Sequence, residues 1–414
     1  MRLERIVRLR NLVLLLPLLA IGGATADPDS YVDVVRGKAL ATAGDCVACH
    51  TAKGGAPFAG GLALQTPFGA IMTANVTPDN ATGIGSWSAD DFARAMHEGR
   101  RPAGTYLYPA FPYPYYTKVT RGDLDAIYAY LRTLPPVENH VNRNTLPLPF
   151  NIRMSMVGWN MLFFTPGEFK PNPKRSDEFN RGAYLVEGLG HCGACHTPFN
   201  AFGANKDDKY LQGNQIDNWT APNITNDMQA GLGKWSTDDI VQYLKTGQTR
   251  FSLASGPMKD VIENSTSHMS DADLKAIAVY LKERGAAGSA APAPLPASDP
   301  RMQVGGAIFV DTCTACHKSD GAGVARMFPK LAGNVVTTQD DPASLIRIII
   351  GGGRAAATET RPTSPAMPSL GYRLDDAQIA AVVTYVRNSW GNAAAPVSAE
   401  TVQALRARVT GAGD

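Results

Sequence analysis

Three five-residue stretches carry the most telling chemistry: Cys46-Val-Ala-Cys49-His50, Cys192-Gly-Ala-Cys195-His196 and Cys313-Thr-Ala-Cys316-His317. Two thiols three positions apart lie on one helical turn, where each can form a thioether to a haem vinyl group. The adjacent imidazole then falls beneath the ring to ligate the iron. All 6 cysteines of the chain lie in these motifs, leaving none for a disulfide. Zinc sites pair two such elements, or set one against a distant His pair. A thioredoxin-type redox pair does not occur in triplicate with a fixed trailing His. The reading is therefore three covalently bound haem c groups, attached through Cys46, Cys49, Cys192, Cys195, Cys313 and Cys316. His50, His196 and His317 are the axial ligands, and the chain is an electron carrier before anything else.

A low-spin carrier needs a second axial ligand, usually a Met sulfur or a His nitrogen, from a loop just before the last helix of the unit. Unit two offers Met258 in Ser255-Gly-Pro-Met-Lys, and unit three offers Met367 in Ser364-Pro-Ala-Met-Pro-Ser. Met269 and His268 compete with Met258 but fall at the start of a helix, and Met327 lies close behind the third motif. Unit one reads Tyr108-Pro-Ala-Phe-Pro-Tyr113, so Phe111 stands where the Met is expected. Met72, Met96 and His97 are the alternatives there, or the iron is five-coordinate. The sixth ligand of haem 1 is unknown at this stage.

The elements that position these residues repeat. A short helix leads into each motif, at Tyr31 to Gly44, Arg181 to Gly190 and Val304 to Asp311. Arg36-Gly37, Arg181-Gly182 and Gly305-Gly306 supply small residues for a close helix crossing. Asn75-Val-Thr is echoed by Asn223-Ile-Thr, and Gly85-Ser-Trp87-Ser-Ala-Asp90-Asp91 by Gly233-Lys-Trp235-Ser-Thr-Asp238-Asp239. Ser88 and Ser236 read as N-caps with acidic residues in the first turn, and Gly99 and Gly247 as helix stops. Each unit closes on an amphipathic helix, from Gly122, Asp271 and Asp375, with Tyr130, Tyr280 and Tyr385 one position before its last apolar residue. That helix is expected to cross the opening one.

The resulting division is a signal peptide over 1–26, domain 1 over 27–135, a linker over 136–175, domain 2 over 176–284, an Ala/Pro linker over 285–300, domain 3 over 301–392 and a tail over 393–414. Arg2, Arg5, Arg8 and Arg10 precede the apolar run Leu12 to Ile21, and Ala24-Thr25-Ala26 reads as a cleavage site. The first linker encloses the apolar cluster Val157 to Phe164, either packed against the first two domains or free for docking, with packing favoured. The second is of extended low-complexity character, so domain 3 is expected to move relative to the others. The tail could cap the fold or touch a membrane. With 414 residues, a formal net charge of +2 and no basic block, nucleic acid binding has no support. No segment after residue 26 approaches twenty consecutive apolar residues, and no dinucleotide fingerprint is apparent.

With these motifs and Tyr-Pro-Ala-x-Pro-Tyr in hand, the chain resembles the three-haem cytochrome c subunits of bacterial membrane-associated dehydrogenases acting on alcohols, gluconate, sorbitol, fructose or aldehydes. The similarity spans essentially all of the mature chain. It implies a mainly α architecture of three tandem class I-type cytochrome c domains. It also implies a periplasmic protein at the outer face of the cytoplasmic membrane, taking electrons from a flavin, quinone or molybdenum catalytic subunit. Ubiquinone or a terminal oxidase would be the acceptor. Met258 and Met367 match the family's sixth-ligand positions; Phe111 departs from that rule. The competing readings are a stand-alone shuttle or oxidase-associated cytochrome, and a haem peroxidase with an open first iron. The Tyr, Pro and Phe around Phe111 argue against a peroxidase, which needs a distal His or Arg.

Overall fold

The computed structural model describes residues 30–411 except 143, 217, 286, 287 and 289–291. The signal-peptide expectation over 1–26 lies outside the described residues. The architecture is mainly α, in three units built on one plan, each with one small antiparallel hairpin among the described residues.

In every unit an opening helix crosses a closing helix: Tyr31–Ala43 over Arg121–Arg132, Asp177–Tyr184 over Asp271–Glu283, and Pro300–Thr312 over Asp376–Arg387. The crossing point is glycine in all three. A Cβ on Gly37 would stand 1.8 Å from the carbonyl oxygen of Ala126, one on Gly182 2.0 Å from that of Ala276, and one on Gly305 2.2 Å from that of Ala381. One turn further along, Tyr130, Tyr280 and Tyr385 pack their Cβ atoms against the same glycines. The backbones therefore meet without intervening side chains. Leu124, Leu274 and Ile379, at matching positions of the closing helices, are wholly buried. Each contributes about 1.5–3 kcal/mol through burial alone.

The helix signals read from sequence are present. Ser88 and Ser236 each form a reciprocal capping box, with Asp91 and Asp239, at the starts of Ala89–Glu98 and Thr237–Thr246. Gly99 and Gly247 end those helices in the left-handed conformation. Two features were not legible. The second opening helix slips into a π-turn over Leu185–Leu189 before its cysteine motif. The hairpins Ala63–Thr66 with Gly69–Met72, Asn214–Ile216 with Trp219–Ala221, and Gly353–Arg354 with Ala366–Met367 are too short to leave a periodic trace.

The first linker is a strap tied to unit one. Asn75 Nδ2 donates to Val137 O, Thr145 N to Ala70 O and Phe169 N to Lys118 O. Its helix Ser155–Phe163 is two-sided: Trp159 donates to Phe202 O and packs on Tyr113, while Met161 and Leu162 remain 82% and 75% exposed. The favoured packing reading holds for one face only.

The expectation that domain 3 moves relative to the others is corrected. Unit three is hydrogen-bonded to unit two through Ala356 N to Ala254 O, Thr220 N to Ser344 Oγ and Asn223 N to Gln339 Oε1. Linker composition carries no information about the faces on either side of it, and those faces are complementary. The tail helix Ala399–Gly411 caps unit three: Val402 and Leu405 are buried, and Arg406 Nε lies 2.6 Å from Asp376 Oδ1.

Candidate functional site

The cysteine pairs sit at the ends of the opening helices, on single helical turns over Cys46–Cys49, Gly193–His196 and Thr314–His317. None of the six cysteines forms a disulfide. Burial, the largest cause, pushes Cys46 and Cys192 up to about 12 and Cys49, Cys195 and Cys313 up to about 11. Such thiols stay protonated at neutral pH, opposite to the activated thiolate of a redox pair.

Each motif histidine is held the same way. His50 Nδ1 lies 2.6 Å from Ala74 O, His196 Nδ1 2.7 Å from Pro222 O, and His317 Nδ1 3.0 Å from Pro329 O. A carbonyl only accepts, so Nδ1 carries the hydrogen and the Nε2 lone pair is left for a ligand. Burial, the dominant cause, lowers the pKa of all three rings and keeps them neutral, the form that binds metal.

A glycine that sequence reading missed sets this geometry. Gly60, Gly213 and Gly323 all have positive φ, at 74°, 93° and 63°. Their N–H groups donate to the carbonyls of His50, His196 and His317, at 2.7, 2.8 and 3.0 Å. A Cβ would strike the segment carrying the orienting carbonyl at Gly60, 2.5 Å from Ala74 O, and at Gly323, 2.7 Å from Pro329 O, and would crowd it at Gly213, 3.0 Å from Ala221 O and Asn223 N. Only glycine tolerates both the left-handed backbone and that approach. The Asn-x-Thr triplets now have a role. Asn75 Oδ1 accepts from Thr77 N and Oγ1, and Asn223 Oδ1 from Thr225 N and Oγ1, stiffening the turn just after the carbonyl. The signal was present as a recurrent Gly upstream of Asn-x-Thr, but nothing in the sequence linked it to histidine.

The loops expected to supply sixth ligands in units one and two match in hydrogen bonding. Leu107 N donates to Gly99 O and Ala254 N to Gly247 O, both at 2.7 Å. Counting four residues onward gives Phe111 and Met258, so the substitution noted in sequence is a structural equivalence. Met258 is half-buried beside Tyr243, Ala254, Ile262 and Ala356, and Met367 is half-buried in the third hairpin opposite Gly353. The competitors have other duties. Met269 is packed in the core of unit two, and His268 Nε2 lies 2.9 Å from Glu263 O. In unit one Met96 is a core residue, and Met72 is the last residue of a hairpin strand. His97 Nε2 lies 2.7 Å from Val119 O, matching its counterpart Lys245, whose Nζ donates to Met269 O at 2.8 Å. Both side chains secure the start of a closing helix.

Units one and two are reciprocally placed. The short helix Tyr113–Tyr116, just after Phe111, lies on the second motif, where the Tyr115 hydroxyl is 2.9 Å from the point a Cβ on Gly193 would occupy. The helix Pro257–Asn264, which carries Met258, lies on the first motif, and Ser265 Oγ donates to Ala43 O at 3.2 Å. Between them Asp45, at φ 51°, is pushed up to about 8 by burial and secondarily by Asp260.

These residues fit a haem bound at each motif. Several buried polar atoms near the motifs and sixth-ligand loops have no protein partner among the described residues: Arg100 Nε, Tyr210 Oη, Asn214 Nδ2, and Gln248 Oε1 and Nε2. Leaving such atoms unpaired costs about 1–3 kcal/mol each. A group bearing carboxylates, as haem does, supplies acceptors for the donors.

The chain belongs to the cytochrome c family, whose model matches residues 34–135, 179–284 and 303–390. Cytochrome c domains carry covalently bound haem c. The chain is 42% identical to the gluconate 2-dehydrogenase cytochrome c subunit of Pantoea cypripedii, covering 95% of this chain and 94% of that one. It is 41% identical to the cytochrome c subunit of the quinone alcohol dehydrogenase of Gluconacetobacter polyoxogenes, over 94% and 86% of the two chains. It is 39% identical to the fructose dehydrogenase cytochrome subunit of Gluconobacter japonicus, over 90% and 82%.

Proposed function

We propose that the chain is a tri-haem electron-transfer subunit of a membrane-associated dehydrogenase, receiving electrons from a catalytic partner and delivering them to membrane ubiquinone or a terminal oxidase. Haems attach at Cys46 and Cys49, Cys192 and Cys195, and Cys313 and Cys316, with His50, His196 and His317 as axial ligands. Met258 and Met367 complete the second and third irons. A bound haem supplies one-electron chemistry; the chain's residues hold the ligands, shield them from water and set the spacing.

The observation that carries this reading is the threefold recurrence of one arrangement. A neutral histidine beside two cysteines that form no disulfide is held by a backbone carbonyl with its Nε2 lone pair available, in three units of which the second packs against both others. Unit two contacts both of the others, which supports a relay with the second haem in the middle. The relatives are named for gluconate, alcohol and fructose dehydrogenases, so the partner is taken to oxidise a small polyol, sugar or alcohol with a flavin, quinone or molybdenum centre.

The basic and apolar residues of 1–26 support export, and haem c is attached outside the bacterial cytoplasmic membrane; the protein is assigned to the periplasm, against that membrane's outer face. No described helix is long and apolar enough to cross a membrane.

The test is to solubilise native membranes mildly, capture the protein through an affinity tag and identify its companions. A stoichiometric large dehydrogenase subunit is expected. Recovery of the cytochrome alone in the soluble fraction would remove the basis of the assignment.

A further inference from the structure

The Pro222–Asn223 peptide group is engaged at both ends. Its carbonyl accepts from Nδ1 of His196 at 2.7 Å. Its N–H donates to Oε1 of Gln339, a residue of unit three, at 3.1 Å. Gln339 is only 6% exposed and has no freedom to turn, because its Nε2 donates to Ala230 O and to Val335 O, both at 2.8 Å. Carbonyls cannot donate, so the amide orientation is fixed with its oxygen toward Asn223. The backbone of Gln339 is held as firmly. Arg387, wholly buried at the end of the closing helix of unit three, donates from Nη1 to Gln339 O at 2.7 Å and from Nε to Ala395 O at 3.0 Å. Among the described residues, the N–H groups of Asn75 and Lys330, in the matching peptides of units one and three, donate to no protein acceptor.

We propose that Gln339 is a positioning residue through which the third domain lowers the reduction potential of the second haem. A peptide whose N–H donates becomes a better acceptor at its carbonyl, by roughly 10–30% in bond strength. The Pro222 carbonyl thus draws harder on the Nδ1 hydrogen, which raises the basicity of Nε2 and favours the ferric over the ferrous state. The effect is expected at the second haem, because among the described residues its orienting peptide alone has such a partner. It also couples the potential of the middle carrier to the docking of unit three.

The inference rests on haem attachment at Cys192 and Cys195, so haem content is counted first, and a count below three per chain in the unaltered protein would undo that attachment reading. The test is a potentiometric titration of the full chain, with the second haem identified by the change that Met258→His produces. Gln339→Leu removes the acceptor and is expected to raise the second potential while leaving the first and third in place. Gln339→Glu keeps an acceptor oxygen towards Asn223 N, its second oxygen protonated against Ala230 O and Val335 O, and is expected to hold that potential close to the native value. Three haems with an unmoved second potential in Q339L would overturn the proposal, and so would equal shifts of all three. If Q339L does not accumulate, Q339E decides alone, and a rise of the second potential in it overturns the proposal.

Discussion

Tyr115 and Tyr116 are consecutive residues that face two different cysteine motifs. Tyr115 places its hydroxyl against Gly193, inside the second motif. Tyr116 is buried in the core of unit one with Cys46 at its side, and its ring meets that of His191 edge-on at 5.6 Å between centroids. One dipeptide on the helix after Phe111 therefore fixes the separation of motifs one and two. The converse contact, Ser265 to Ala43, closes the arrangement from the other unit. Two such contacts in opposite senses resist both sliding and rotation, as carriers that must exchange electrons at constant distance require.

The helix crossing is the first place to test the account. Gly182→Ala puts a methyl 2.0 Å from the carbonyl of Ala276, a backbone atom that cannot step aside. Overpacking of this kind costs about 1–3 kcal/mol. Chemical denaturation of the holoprotein is expected to show a midpoint lowered accordingly, and an unchanged midpoint would mean that the helices are not held in this contact.

The junction of units one and two carries a buried polar link. Tyr184 of unit two donates to the Asp123 carboxylate of unit one, accepts from Thr120 N at 3.2 Å, and shares Asp123 with Arg36. Tyr184→Phe removes a hydrogen bond to a charged group, worth about 1.5–3 kcal/mol. The expected result is faster proteolysis and hydrogen exchange at Thr120 to Asp123, with haem content unchanged.

Asp45 gives a pH prediction. Its carboxyl is raised from its ordinary 3.8 to about 8 in the fold, by burial first and Asp260 second. As pH rises from about 4 to about 8 the unfolded chain releases this proton before the folded one does, so the contribution of Asp45 to stability falls across that window. Asp45→Asn cannot ionise and suits the left-handed backbone at φ 51°. Its melting temperature is expected to exceed that of the native protein at pH 7, with the gap closing towards pH 4. A gap independent of pH would show that Asp45 does not titrate in this range.

The sequence made much of this legible, for reasons that differ by element. The motifs were legible because covalent attachment demands fixed residue types at fixed spacing. The capping boxes at Ser88 and Ser236 and the stops at Gly99 and Gly247 are local chemistry, decided within a few residues. The crossing glycines were recognised as small residues on an amphipathic pattern. What stayed hidden depends on contacts between distant segments. Nothing local shows that Gly60 approaches Ala74, that Gln339 reaches Asn223 across a domain boundary, or that unit three is docked rather than free beyond its Ala/Pro linker. Phe111 was visible as a departure, and its equivalence to Met258 became firm only through the paired bonds at Leu107 and Ala254.

Ligation is tested by moving methionines. Met258→Ala and Met367→Ala are each expected to remove one thioether-to-iron charge-transfer band from the spectrum and turn one of three haems high-spin. Phe111→Met is expected to add such a band. Loss of neither band in the two alanine variants would assign the sixth ligands elsewhere.

The measurement that bears most directly on the central claim follows the oxidation state of the three haems in the isolated complex, without oxygen, as the partner's substrate and then a ubiquinone analogue are added. All three haems are expected to become reduced on substrate addition, at least as fast as the complex turns over, and to be reoxidised by the quinone. Haems that stay oxidised while the partner consumes substrate and reduces the quinone would contradict that claim.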